Sequence, residues 1–248
     1  MSSCTHGTKL PLEVTYPLNA GFWEVLSVIY GYVPWFLCAG ILLMFLVYRG
    51  SRELALGILP GIIAGINEAV KLAVKQPRPD LSCLTTYGMP SSHSAVSVGL
   101  LVYLILDAAY RITPKRANQR SCGESCMGMV KGFFLLPFGT ISQGEFSAFV
   151  AVWTVLLLPV PLARVIVNDH SPQQAMAGVL VGLLAVAIWF PTMLWARRKL
   201  VDHVGTKAFY IFVHNYDVPA GWKDADSEES QPINSSKAAS AEAVASNV

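Results

Sequence analysis

Three short segments place cations and histidines at the ends of apolar runs: Lys71 with Arg78 and Pro79, then Pro90-Ser91-Ser92-His93, then Arg164 with His170. Ionisable groups at membrane depth are costly to bury and mark function by default. Singly, each has an ordinary reading. Lys71 serves as a snorkelling helix end, Arg78 as a loop residue, Arg164 as a topological anchor, Ser91 or Ser92 as a helix cap, and the histidines as loop residues. Together, three permanent cations beside serines and two histidines make a site for a multiply charged anion such as phosphate. Arg grips phosphate bidentately and Lys as a point charge. Backbone N–H groups of Ser91 and Ser92, at a helix start, add donors. One histidine can then attack phosphorus while the other protonates the departing oxygen, which requires one neutral ring and one imidazolium.

These residues need elements to hold them. Of 248 residues, 53% are hydrophobic and 14% charged, against about 25% charged in a soluble domain, which excludes an ordinary soluble enzyme. The mean hydropathy of +0.47 comes from runs long enough to cross a bilayer. The clearest is 28–48, with no charge over 21 positions. A second, 53–74, is interrupted by Asn67, Glu68 and Lys71. Residues 75–92 hold three prolines and read as a loop, and 93–110 as a third span. The segment 111–131 reads as a solvated basic loop. Residues 132–141 are too short to span and read as interfacial or re-entrant, with 146–166 as the fourth span and about 173–196 as the fifth. The expected fold is an all-α, polytopic transmembrane bundle of five to six spans. Its expected divisions are an N-terminal segment 1–27, a membrane domain 28–196 and a tail 197–248, disordered beyond about 222.

Five spans put the N-terminus and the loops 75–92 and 167–172 on one side. The other side carries Arg49, Arg52, Arg111, Lys115, Arg116, Arg120, Lys131, Arg197, Arg198 and Lys199, so the positive-inside rule makes the first side lumenal. Two true spans in 132–166 would instead separate the two histidine loops. The N-terminus lacks the features of a signal peptide, so the first span is expected to drive insertion. A net charge of +2 argues against nucleic-acid binding. The five cysteines, Cys4, Cys38, Cys83, Cys122 and Cys126, suggest no paired framework and no zinc site. Asp80 and Asp169 are the only carboxylates near the candidate site, so no metal or other cofactor is expected.

The motifs Lys71-x6-Arg78-Pro79, Pro90-Ser91-Ser92-His93 and Arg164-x5-His170 resemble the three signatures of the type-2 phosphatidate phosphatase superfamily, which includes glucose 6-phosphatase and vanadium haloperoxidases. The resemblance implies an acid phosphatase-like helical core. It makes His170 the nucleophile and His93 the general acid, with Lys71, Arg78 and Arg164 as phosphate ligands. Ala163 stands where the family has Ser, Ser92 where it has Gly, and Gln174 where it usually has Asp. A Gln at 174 orients the His170 imidazole without stabilising its charge, or caps the fifth helix through Ser171-Pro172-Gln173-Gln174. With Tyr87 to Ser94, Glu13 to Pro17 and the stretch near Ile211 to Val218, it resembles the dolichyldiphosphatase branch. That branch implies hydrolysis of a polyisoprenyl diphosphate in the endoplasmic reticulum membrane, supporting lipid-carrier recycling for N-glycosylation. The alternatives are a broad lipid phosphate or sphingoid-base phosphate phosphatase, and a non-catalytic transporter of anionic lipid.

Overall fold

A computed structural model of the chain describes residues 3–4, 6–49, 51–110 and 143–203. The expectations for the basic 111–131 loop, for 132–141, for Cys122 and Cys126 and for the tail beyond 203 lie outside the described residues. Within them the molecule is mostly helical, and five stretches are long and apolar enough to cross a membrane: Phe22–Val47, Arg52–Val74, Ser92–Ala109, Gln143–Ile166 and Pro172–Ala196. The protein is multi-pass.

Helix α1 (Phe22–Tyr48) begins at Phe22 rather than Val28, because the charged Glu24 lies in its first turn, where a carboxylate suits the helix dipole. Its C-terminus closes on Arg49, whose left-handed backbone lets its N–H reach the Phe45 carbonyl. Helix α2 (Ser51–Val74) follows at once. Helix α3 (Ser92–Ala109) starts at a serine cap: Ser91 has extended backbone and its Oγ accepts from the N–H of Ser94. The fourth span is two helices, α4 (Gln143–Leu157) and α5 (Val160–Ile166). Pro159 and Pro161 lack the N–H groups that would carry one ladder through. Helix α6 (Pro172–His203) is continuous through Pro191.

Helix α3 is the hub: 67% of its apolar stretch is buried, against 33% or less for the others. Small residues let it approach α6 closely. A Cβ on Gly182 would lie 2.4 Å from the Ala95 carbonyl oxygen, and one on Gly178 would lie 2.4 Å from that of Ser91. This crossing brings the Ser92 end of α3 to the Ser171 end of α6. The core beneath is Leu56, Leu59, Ile63, Leu100, Leu104 and Leu157, all fully buried, while Phe36, Leu46, Val155, Leu162 and Ile188 face outward, as lipid contact requires. At the far end of α2 and α3, Arg52 and Asp107 are buried together, with Nε and Nη2 of the arginine each 2.6 Å from Oδ2 of the aspartate.

The sequence reading holds no strands, yet the N-terminus forms a three-stranded antiparallel sheet, β1 (Ser3–Cys4), β2 (Gly7–Leu10) and β3 (Val14–Pro17), in the order β1-β2-β3. Leu10 faces Val14 across a three-residue turn. In this turn Leu12 (φ 61°) and Glu13 (φ 58°) are both left-handed, at a cost of about 1–2 kcal/mol each. Contacts to the bundle hold it: the Tyr32 hydroxyl donates to the Pro11 carbonyl at 3.2 Å, and Val14 is buried against Val28 and Val167. A disulfide joins Cys4 to Cys83 in the 75–91 loop. The expectation of no cysteine pairing is therefore corrected; 79 residues separate the partners, so spacing alone carries no signal. Cys38 is free.

Candidate active site

Arg164 lies in the last turn of α5. The chain leaves that helix through Asn168 in the left-handed region (φ 58°), a conformation Asn tolerates. The N–H groups of Asp169 and His170 then both donate to the Arg164 carbonyl at 3.2 Å. This turn folds His170 back beside Arg164. Asp169 turns to the guanidinium, its Oδ2 lying 2.9 Å from Arg164 Nη2. The same carboxylate accepts the Thr15 N–H at 3.0 Å, the Thr15 hydroxyl, and the Ser82 hydroxyl at 3.4 Å. Asp169 is thus committed to positioning Arg164.

Arg78 comes from the 75–91 loop. Its Nε donates to the Thr86 carbonyl at 3.0 Å and its Nη2 to the Thr86 hydroxyl at 2.9 Å. Its Nη1 reaches the Asp169 carbonyl at 3.1 Å and His170 Nε2 at 3.0 Å. Loops 75–91 and 167–171 therefore meet at one end of the bundle.

His170 is buried, and its Nδ1 lies 2.8 Å from the Gly88 carbonyl oxygen. A carbonyl only accepts and a guanidinium only donates, so the two partners select one tautomer: the proton on Nδ1 and the lone pair on Nε2. Burial, then Arg78 and Arg164, hold the His170 pKa well below its ordinary value. The ring is neutral at pH 7, as a nucleophile requires.

The group that orients His170 is thus the Gly88 carbonyl, and the expectation that Gln174 does so is corrected. The Gln174 Oε1 accepts the Ser171 N–H at 3.1 Å, its own N–H donates to Ser171 Oγ at 3.3 Å, and its Nε2 donates to the Pro77 carbonyl at 2.7 Å. This is a capping box, whose amide is spent before it could reach the imidazole. Gln174 acts one step back. A Cβ on Gly88 would lie 2.6 to 2.8 Å from its amide atoms, so Gln174 backs the peptide that carries the orienting carbonyl.

Ser91 also differs from expectation. Its N–H donates to the Gln174 carbonyl at 3.1 Å and its hydroxyl caps α3, also taking the Ser94 hydroxyl at 3.0 Å. Both groups are occupied, so Ser91 builds the site's wall. Ser92 differs, since its Oγ is buried without a partner, as are Nε and Nη1 of Arg164. His93 follows on α3, and its Nε2 accepts from the Trp35 indole at 3.0 Å. Arg164, Arg78 and Lys71 all lie near enough for their charges to act on the His93 ring. Lys71 itself is buried, with Nζ 2.7 Å from Glu68 Oε1. Among the described residues no three His, Cys, Asp or Glu side chains are grouped to hold a metal ion.

His170, His93, Arg164, Arg78 and Lys71 thus converge, with Ser92 next to His93 in the chain. The sequence reading missed Gly88, Thr86, Thr15 and Trp35. A backbone carbonyl carries no side-chain signal, and Thr15 and Trp35 lie far from the motifs in sequence.

Comparison with curated proteins and with solved structures yields no significant match. A family model does match, over residues 52–198, which hold all three cation-and-histidine segments. The chain belongs to the PAP2 superfamily, and that membership supports a phosphatase acting on lipid phosphates.

Proposed function

We propose that this membrane phosphatase hydrolyses a polyisoprenyl diphosphate, dolichyl diphosphate, to the monophosphate and inorganic phosphate through a phosphohistidine at His170. The observation that carries this is the neutral His170 ring, with its lone pair on Nε2 and buried arginine donors beside it. Arg78, Arg164, Lys71 and Ser92 hold the oxygens of the terminal phosphoryl group. The Nε2 lone pair forms the N–P bond as the bridging P–O bond breaks, and the electron pair leaves on the lipid monophosphate, to which His93 gives a proton that it has taken up on Nε2 in place of the Trp35 hydrogen bond. Water then attacks the phosphohistidine, its proton passes to His93, and phosphate departs from a neutral His170.

Choice of the diphosphate rests on the resemblance of Tyr87 to Ser94, together with Gln174, to the dolichyldiphosphatase branch. A lumenal face in the endoplasmic reticulum is supported by the charge asymmetry and by Cys4–Cys83, since disulfides persist on the oxidising side of a membrane. In this reading residues 1–27 are lumenal and 197–248 cytosolic.

Purified protein assayed with polyisoprenyl diphosphate, phosphatidate and sphingoid-base phosphate should release phosphate fastest from the diphosphate. An alkaline quench should trap labelled phosphate on the wild type and none on His170→Ala, whose turnover falls by more than about 10³-fold. Equal turnover of all three lipids would replace the reading with a broad lipid phosphatase. Retained lipid binding with no phosphate release would leave an anionic-lipid transporter.

A further inference from the structure

The turn between β2 and β3 lies outside the matched residues 52–198, yet it closes over the site's cations. The Glu13 carbonyl accepts from Arg164 Nη2, and the Glu13 carboxylate is 3.2 Å from Arg78 Nη2. A guanidinium has five N–H donors. Those of Arg78 face five acceptors: the Thr86 carbonyl, the Thr86 hydroxyl, the Asp169 carbonyl, His170 Nε2 and Glu13 Oε2. Arg78 is therefore fully engaged in the empty site, and a phosphate oxygen can join it only by replacing a partner.

Two of these partners belong to Thr86, an exposed residue of Arg78's own loop, and two to the buried Asp169 and His170, whose Nε2 leaves Arg78 only as its lone pair turns to phosphorus. The fifth is different: the Glu13 side chain is 38% exposed while that of Arg78 is 2% exposed. The turn's backbone does not lift away, because Pro11 is held by Tyr32, Thr15 by Asp169, and Cys4 by Cys83. What can move is the Glu13 carboxylate, about its own side-chain bonds, towards solvent.

We propose that the Glu13 carboxylate is a placeholder for a phosphate oxygen: it occupies Arg78 between turnovers, yields to the phosphoryl group, and on returning competes against retained inorganic phosphate. The proposal rests on the phosphate-site reading above. Glu13 is on this account a positioning and product-release residue.

Orthovanadate, a phosphate mimic, tests this by calorimetric titration of the full chain in detergent, with no lipid turnover needed. Glu13→Gln removes the competing charge and should bind vanadate about two- to fivefold more tightly, the range for one part-exposed ion pair. Its inhibition constant for phosphate should fall by the same factor. Glu13→Asp keeps the charge but draws it back from Arg78, and should shift affinity in the same direction by less, which guards against misfolding of the first variant. Unchanged or weaker vanadate binding in both variants overturns the proposal while leaving the phosphate site intact. A wild type that binds no vanadate overturns both.

Discussion

Two arginines are buried at opposite ends of the bundle, each against an aspartate, and they are used differently. Arg52 hydrogen-bonds Oδ2 of Asp107 through Nε, and its Nη2 lies 2.6 Å from the same oxygen. Arg164 gives Asp169 only Nη2, leaving Nε and Nη1 buried without partners, and Arg78, Lys71 and His93 gather around it. Burying an unmatched donor costs free energy, so a fold keeps one only where something else gains from it. A buried ion pair is by itself weak support for stability. The comparison therefore separates an ion pair far from the histidines from one that holds an arginine beside them, with two donors open for an anion.

Paired substitution breaks the comparison most severely. Arg52→Met or Asp107→Leu alone should destabilise by about 3–5 kcal/mol, and the double variant should recover most of that, with activity unchanged. Arg164→Met with Asp169→Leu should recover less, because Thr15 and Ser82 lose their acceptor, and should lose about 10²–10³-fold in kcat on lipid phosphate. Thermal unfolding in detergent and phosphate release read the two quantities apart. Full activity in the second double variant would end Arg164's role in the site.

A milder contrast compares two glycines. Gly88→Ala forces its Cβ into the Gln174 amide, at 2.6 Å, and displaces the carbonyl that holds His170, so kcat should drop by about 10²-fold. Gln174→Ala, added to it, should restore part of the loss by making room. Gly40 has nothing within 4 Å of its Cβ position, so Gly40→Ala should leave activity alone and stabilise α1 by about 0.5–1 kcal/mol.

The smallest effect is a shift in pH profile. Burial, then Arg78 and Arg164, hold His170 neutral to below its ordinary pKa of 6.5, so the acid limb of kcat/KM should fall below that value. Removing a neighbouring positive charge eases protonation. Arg78→Gln should therefore move the limb to higher pH, whereas Arg52→Met, at the other end, should leave it in place. An unmoved limb in Arg78→Gln would assign it to another group.

Side-chain chemistry at fixed spacing was the readable part of the sequence. His170, His93, Arg164, Arg78 and Lys71 could be picked out because cations at the ends of apolar runs are improbable without a use. The first span was plain from unbroken apolar length, whereas the second is broken by Asn67, Glu68 and Lys71, the count over 132–166 stayed open between one span and two, and the division of the fourth at Pro159 was not foreseen. Gln174 was open between orienting and capping, since Ser171-x-x-Gln174 satisfies the capping pattern wherever the ring sits; only the geometry of Gly88 decides it. The sheet was missed because four-residue strands interrupted by Pro11 hold too little alternation to register, and the roles of Thr15 and Cys4 depend on partners brought near only by the finished bundle.

That dependence sets an order of assembly. Thr15 pairs with Asp169, 154 residues later in the chain, a stretch that takes about 8 to 30 s to synthesise. The first strands emerge long before the helices that receive them, and must wait at the membrane surface until the turn after α5 is in place. Closure of the site is therefore a late, post-insertion event, in which the earliest residues made are among the last to dock.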